Sequence, residues 1–498
     1  MNSMPKKLED NPSGMARARS SIVWNAGFNV FRQGLQFAQA VVLARLILPD
    51  AYGQFAFVSS VLALLSVLSF QNVLAHVLQP RILDDSQYQH HFTAGLYIQG
   101  ALFLLTNVVA FCFRLSTDLQ SLSLVTHLVS IKFLLNWPSE LRQRMLEREF
   151  DWKRRRILHG IGLLTSSAIA VIFAYLGLGV YALLLPVLVC NLPFIYDLFV
   201  YKGWRPNWDW NWHAYKPAFM FGISRTGSAI AVSGKQLLES SVLGFRLGFD
   251  GLGIVNRSVG LSQLFCGAIA DQLLLALYPM LPQLDVSSGQ VARVGGVILR
   301  VVVWVTLPLA CGVSWFAAEA ISIVYGPNWG DSASLLPWSM AMIFSRSVLN
   351  VSYHLTLAQH LPKLCFWIDA TTLGATVLGL GIFEYCGIIG YFAIQSATHV
   401  VLVCGLIGTL LGKECLTFEG ILSSFCPAFF SASSAMLIIF GASSILGVEK
   451  TPIGLAIVLG IIFLLAYLLI LRLFFRKPLE EIVSMMPRRI AIEKCLWL

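Results

Sequence analysis

Charge is scarce in this chain. Only 12% of its 498 residues are Asp, Glu, Lys or Arg, about half the roughly 25% found in soluble domains. Such a composition cannot cover a globular surface with ionised groups, which excludes an ordinary soluble fold. Acid is scarcer than base, 26 against 35, for a net charge of +9. In a chain this apolar the basic excess reads as cytoplasmic loops, and no nucleic-acid partner is expected. Cysteine offers no chemistry. Its ten copies never form C-x-x-C, and most sit inside apolar runs as small hydrophobes. The G-x-x-x-x-G-K-[ST] loop, H-E-x-x-H and G-x-S-x-G are all missing, so nucleotide hydrolysis, zinc hydrolysis and the nucleophile elbow have no signature. No loop is long enough for a soluble domain. The chain is therefore not expected to be an enzyme, and neither a cofactor nor a metal is expected. Any energy would come from an ion gradient, the membrane potential or the substrate gradient.

What the chain has in abundance is apolar runs of about twenty residues, the length that crosses a bilayer. They recur from residue 20 to residue 475 and predict about fourteen transmembrane helices, an all-α polytopic membrane protein. Residues 21–44 read as a retained first span rather than a cleaved signal, because the stretch is too long and carries Arg32. Lys and Arg concentrate on one side, most densely in LRQRMLEREFDWKRRR at 141–156, which predicts both termini in the cytoplasm. The tryptophans of WRPNWDWNW, 204–212, read as an interfacial belt on that side, with carbohydrate stacking as the alternative.

The first span carries Asn25, Asn29, Arg32, Gln36 and Gln39. At helical spacing these fall within roughly 80° of one another, a narrow polar stripe. The stripe recurs. VLARLILPDAYG at 42–53 and VLGFRLGFDGLG at 242–253 share Val-Leu and Asp-x-x-Gly at an offset of 200. The same offset carries Gln36 onto Gln236, Gln39 onto Glu239 and Asn25 onto Arg225. With six spans between the copies, both run in one direction. That predicts two six-helix lobes related by a parallel pseudo-two-fold: 1–212 and 213–413, with 414–498 adding two helices and a tail.

Charged residues at mid-span are costly and normally face a protein interior or a wet cavity. The candidates are Arg32, Arg225, Lys235, Arg257 and Arg346, with Glu239, Asp271 and Asp369 as acids. Cations outnumber acids, which predicts a net-positive cavity suited to an anion, phosphate in particular. Structural readings stand beside this one. Arg32 and Arg225 could form interhelical pairs, Lys235 could pair with Glu239, and Arg257 could snorkel to an interface. Asp369 could cap a helix, and Asp271 could bond across helices.

Several stretches together resemble the polysaccharide and oligosaccharide flippases of the multidrug/oligosaccharidyl-lipid/polysaccharide exporter superfamily. They are WN at 24–25, VVLARLILPDAYGQFAF at 41–57, GIVNRSVGLSQL at 253–264, LYPMLPQL at 277–284 and YGPNWGDSASLLPW at 325–338. The resemblance implies alternating access and a cargo of oligosaccharide repeat units on undecaprenyl pyrophosphate. That cargo would move from the cytoplasmic to the outer leaflet of the bacterial inner membrane for O-antigen, capsule or exopolysaccharide. It also implies a cavity lined with arginines, here Arg32, Arg225 and Arg257. Arg346 matches no motif and rests on the charge argument, as do the ion-coupling candidates Glu239, Asp271 and Asp369. Membrane lipids are implied as partners, with a polysaccharide polymerase or chain-length regulator as a further class. Three rivals remain open at this point: a multidrug efflux antiporter, whose cavity should favour acids; a peptidoglycan-precursor flippase; and a membrane glycosyltransferase or polymerase, which would need a larger outer loop.

Overall fold

A computed structural model describes residues 12–68, 85–208, 211–277, 290–359, 361–413, 416–446 and 453–484. Within them, side chains are described except at 12–26, 85–87, 214–215, 217–219, 221–228, 275–277, 362, 445–446 and 483–484. Among the described residues, ten helices are long and apolar enough to cross a membrane, and one of these, Ala229–Leu274, is long enough to cross twice. Further helices are α1 (Pro12–Leu46), α4 (Gln120–Ser130), α5 (Lys132–Arg148) and α14 (Gly330–Ala358). The all-α, many-span membrane fold expected from the sequence is the fold observed.

The chain divides into two compact units, Met1–Gly253 and Ile254–Leu498. In the first, α1 packs on α6 (Trp152–Tyr175), and α3 (Asp85–Leu115) packs on α4 and α5. The candidate span Val180–Tyr201 is broken into α7 (Val180–Leu184), α8 (Val187–Cys190) and α9 (Leu192–Tyr196), followed by a π-helical turn at Asp197–Tyr201. Pro186 and Pro193 explain the breaks, since each removes a backbone donor from the helical ladder. One apolar core joins Val58, Leu62, Leu122, Val125, Phe133 and Leu184; a second gathers Phe92, Trp137, Leu141, Met145, Leu198 and Trp204.

Trp204 therefore belongs to a protein core and not to a lipid-facing belt. Gln89 causes this. Its Nε2 donates to the Arg205 carbonyl, and its Oε1 accepts from the Asn207 backbone N–H, both at 2.8 Å. That clamp presses Trp204 against Phe92, 5.0 Å between rings. Trp208 and Trp212 are exposed, as a belt requires, and Trp210 lies outside the described residues.

The second unit begins inside α10 (Trp212–Ser262) and continues through a π turn at Gln263–Gly267 into α11 (Ala268–Leu277). Its core forms around α12 (Gln290–Trp315), which packs on α14 and on α17 (Phe418–Leu446). The remaining elements are α13 (Ala317–Val324), α15 (Pro362–Gly381), α16 (Phe383–Gly412), α18 (Ile453–Phe474) and the short α19 (Arg476–Ser484).

The repeat seen in the sequence has a physical counterpart. Helix α1 ends at Leu46, and Leu48 is extended (φ −77, ψ 160) before α2 (Pro49–Val67) begins. At the matching place in α10, Gly248 breaks the helix at φ 72 and ψ 174, a left-handed backbone that glycine tolerates. The two Asp-x-x-Gly segments then pack on each other reciprocally. A Cβ on Gly53 would stand 1.9 Å from the Phe249 carbonyl oxygen, and one on Gly253 would stand 2.0 Å from the Pro49 carbonyl oxygen. Positions 49 and 249 are equivalent under the offset of 200, so each copy presents the same carbonyl to the other copy's glycine. That is the contact pattern of a two-fold relation.

Candidate functional site

Helices α1 and α6 run parallel in a fixed register. The Ser167 hydroxyl donates to Gln39 Oε1 at 2.8 Å, a pair 128 positions apart in the chain. The Arg156 guanidinium lies over the Phe28 ring, 4.9 Å from its centroid, at the same separation in sequence. Between these two contacts sits Arg32, half-buried. The Phe28 ring is 5.0 Å from the His159 imidazole and 6.2 Å from Phe31, while His159 lies 6.4 Å from Phe194 of α9.

Arg155 and Arg32 both act electrostatically on Arg156. The acid that also acts on Arg156 is Glu147. Its oxygens are already taken by Arg144 at 2.9 Å and Arg155 at 2.8 Å. Among the described residues Arg32 has no hydrogen bond and no ion pair. A half-buried guanidinium that meets no acid among the described residues, beside a second arginine, is expensive unless an anion joins it.

The rest of the polar stripe is less committed. Asn29 is half-buried and Gln36 exposed. Asn25 and Arg225 lie on α1 and α10, but their side chains fall outside the described residues. On the second copy of the stripe, Lys235 Nζ is 3.8 Å from Glu239 Oε1 one turn away, and Gln236 is exposed.

In the second unit the expected charges are held in local pairs. Arg257 donates to Asn256 Oδ1 at 2.8 Å and faces the Tyr325 ring at 5.8 Å. Arg346 donates to Gln263 Oε1 in the π turn, and Gln263 Nε2 donates to Asp271 Oδ2 at 3.3 Å. A π turn is a frequent place for function because it re-aims the side chains it carries. Asp369 accepts from the Tyr353 hydroxyl at 3.4 Å. The structure thus links Arg346 with Asp271 and Lys235 with Glu239. It brings Arg32 together with Arg156, which the sequence reading had passed over.

Other intramembrane charges also escaped that reading. Asp197 is buried and accepts from Arg142 Nε at 2.6 Å and Arg154 Nε at 2.8 Å. The Tyr201 ring lies under Arg154 at 3.6 Å. Arg300, with its side chain only 6% exposed, is held by Glu481 and Ser423, both at 2.7 Å. Lys132 sits at the α4–α5 break, 5.1 Å from the Phe133 ring. The available signal was simple: each of these lies inside an apolar run. Arg156 and His159 are also spaced i, i+3, which puts them on one helix face.

Known proteins bear on this geometry. Succinoglycan biosynthesis transport protein ExoT of Rhizobium meliloti is 20% identical over 315 residues, 62% of this chain. The chain spans 63% of that relative's length, short of two thirds. Lipopolysaccharide biosynthesis protein WzxC of Escherichia coli is 20% identical over 428 residues, covering 83% of this chain and 85% of its own length. Among solved structures, the lipid II flippase MurJ in an inward closed conformation superposes with a TM-score of 0.66 at 11% identity, over 92% of this chain and 99% of MurJ. An inward-facing multidrug resistance MATE family transporter of the MOP superfamily gives 0.58 at 15% identity, over 77% and 95%. The fold is therefore that of these multi-helix membrane transporters. The family described as polysaccharide biosynthesis protein matches residues 42–334, more than half the chain. This chain, a multi-pass membrane protein with the transporter fold and no enzyme's signature, belongs to the polysaccharide biosynthesis protein family.

Proposed function

We propose that the protein flips undecaprenyl-pyrophosphate-linked oligosaccharide repeat units from the cytoplasmic to the outer leaflet of the bacterial inner membrane. The movement would be alternating access, with residues 1–212 and 213–413 as the two lobes, 414–498 as an appended pair of helices and tail, and both termini in the cytoplasm. The observation that carries this reading is Arg32, a half-buried guanidinium without an acid partner among the described residues. A pyrophosphate supplies the missing anion, and its oxygens match the guanidinium fork. The sugars need a polar path, for which Asn25, Asn29, Gln36, Gln39 and Gln236 are the candidates. The polyprenyl tail stays in lipid. Arg225, Lys235, Arg257 and Arg346 extend the cationic character, and Glu239, Asp271 and Asp369 are the candidates for ion coupling. The same excess of cations disfavours a drug antiporter that exports cations.

A strain lacking the protein should accumulate complete lipid-linked repeat units facing the cytoplasm and lose surface polymer. A copy carrying Arg32→Ala together with Arg225→Ala should be made and inserted but fail to restore polymer. Full restoration by that double variant would overturn the reading.

A further inference from the structure

We propose that Lys132, at the start of α5, is a proton-exchange site in the middle of the first unit, and that Asn136 and Asn191 sense its charge. This rests on the flippase reading and adds to it a residue that takes up and releases a proton during transport. Depth comes from the pairing of α3 with α4 and α5, which run antiparallel. The Ser123 hydroxyl donates to the Ala110 carbonyl at 2.8 Å, Asn107 Nδ2 to the Ser130 hydroxyl at 3.1 Å, and Trp137 Nε1 to the Phe92 carbonyl at 3.0 Å. Lys132 therefore lies between the levels of Asn107 and Phe92, the middle stretch of the candidate span Tyr88–Leu115. Its ammonium stands 5.1 Å from the ring centre of Phe133, a core side chain only 1% exposed. Among the described residues Lys132 makes no hydrogen bond and no ion pair.

A polar line leads away from it. Lys132, Asn136, Ser139 and Gln143 are spaced i, i+4, i+7 and i+11, within roughly 60° on α5. Asn191 meets this line from the break between α8 and α9, near the middle of the candidate span Val180–Tyr201. Its Nδ2 donates to Asn136 Oδ1 at 2.5 Å, and its Oδ1 accepts from the Ser139 hydroxyl at 3.1 Å; Gln143 Nε2 donates to Ser139 at 3.3 Å. Titratable groups on the packed elements are engaged or lie at other depths. On α4, His127 Nδ1 donates to Asn107 Oδ1 at 2.6 Å, because Asn107 Nδ2 already donates to Phe103 and Ser130. On α5 itself Glu140, two turns away, is 3.5 Å from Arg144. Asp197 in the π turn is held by Arg142 and Arg154. On α6, which touches the Cys190 carbonyl through Gly162, His159 lies a turn nearer the Arg142 end. Tyr97 on α3 and Cys190 on α8 complete the set near this level.

This setting selects the ion. A metal cation would meet a resident positive charge. A multivalent anion would find one ammonium and, on the packed elements, no second lysine or arginine at that level. A proton needs neither. Its release breaks one N–H bond, leaves the electron pair on Nζ and passes the proton to water, and the neutral amine suits an apolar core. Re-protonated, Lys132 needs an acceptor, and Asn136 Oδ1 one turn along is the oxygen Asn191 already uses. The proton is thus felt where the Val180–Tyr201 span is broken.

The test has two arms. In purified full-length protein, the thermal midpoints of wild type and Lys132→Met are compared from about pH 6 to about pH 10.5. Unfolded, the lysine holds its charge in water at no cost; folded, it must keep the charge in the core or shed the proton. Lys132→Met should therefore unfold several degrees higher near neutral pH, and the gap should close toward about pH 10.4, where the unfolded lysine itself titrates. No gap, or one that does not change with pH, overturns the inference; Lys132→Gln serves where Lys132→Met does not fold. In the second arm a strain lacking the protein receives Lys132→Arg, which keeps the charge but cannot release the proton. It should be inserted as wild type is and fail to restore surface polymer. Restoration would show that a fixed charge suffices, as for an anion site or a structural cation; this inference falls and the flippase reading stands. If the deletion itself changes neither surface polymer nor lipid-linked repeat units, the flippase reading falls, and the pH series still decides whether Lys132 exchanges a proton.

Discussion

The first polar stripe, on α1, and its copy on α10 occupy equivalent positions 200 residues apart, yet they handle charge differently. Arg32 on α1 stands beside Arg156 with no acid bound to it among the described residues. Lys235 on α10 has Glu239 one turn away at 3.8 Å. Of the described charges on the two stripes, the one on α10 has an acid beside it and the one on α1 does not. The difference teaches that a polar stripe is not itself a binding site. What matters is whether the protein completes the charge balance or leaves it for a ligand to complete.

Where the copies agree is the place most sensitive to mutation. At the reciprocal contact each glycine faces the other copy's carbonyl with no room for a methyl group. Gly53→Ala and Gly253→Ala should each force backbones apart and lower stability by about 1–3 kcal/mol or more, the usual range for overpacking. Because the contact is reciprocal, the two losses should be nearly equal. Thermal unfolding of the purified variants checks both size and symmetry. A severe loss for one and none for the other would show that the duplication no longer governs this joint.

Where the copies differ, the effect should fall on binding rather than folding. Arg32→Ala should reduce affinity for farnesyl pyrophosphate by at least about tenfold. Lys235→Ala should change it by no more than about twofold, since its charge is already shared with Glu239. Glu239→Gln sharpens the comparison by releasing Lys235. It should bind the anionic probe as well as wild type or better. Equal losses for Arg32→Ala and Lys235→Ala would make the second copy a full wall of the anion site.

Much of this could be read from the sequence, for reasons that differ by residue. The crossings were legible because bilayer thickness imposes a length on apolar runs. The repeated Asp-x-x-Gly segments were legible because an offset of 200 exposes them, whereas the breaks at Leu48 and Gly248 came only with the fold. Arg32 was legible as a charge where none is cheap. Arg156 was not, because RRR at 154–156 looks like the basic edge of a loop. In the fold it is the fifth residue of α6, and the Phe28 ring it lies over is set by packing between distant segments. Trp204 failed similarly: its burial depends on Gln89, 115 residues earlier, folding over the chain. Asp197 and Arg300 lay in plain view inside spans, but their partners, Arg142, Arg154 and Glu481, sit on elements whose proximity no local pattern reveals.

Arg300 offers the smallest and most controlled version of the same comparison, a buried cation whose partner can be removed by pH. Its side chain is held by Glu481 of α19, by Ser423, and by the Pro478 carbonyl at 3.3 Å; exposed Arg293 adds a 3.3 Å contact to the same carboxylate. Partial burial pushes the Glu481 carboxyl upward, but the hydrogen bonds and charges of Arg300 and Arg293 outweigh it and hold the group below its ordinary 4.5. A depressed folded pKa means the stabilisation is complete above the unfolded value and is lost as pH falls through the folded one. Glu481→Gln keeps a hydrogen-bonding group but not the charge, so wild type should be more stable near neutral pH by about 1 kcal/mol. That gap should close on acidification from about pH 5 to about pH 3, measured as the difference in thermal midpoint between the two proteins. At the acid end α19 would keep the Pro478 carbonyl bond to Arg300 and its apolar contacts but lose the ion pair, and Arg300, like Arg32 among the described residues, would have no acid bound to it. A gap that persists unchanged at low pH would mean that shape, not charge, holds α19, and that the two arginines differ in more than their partners.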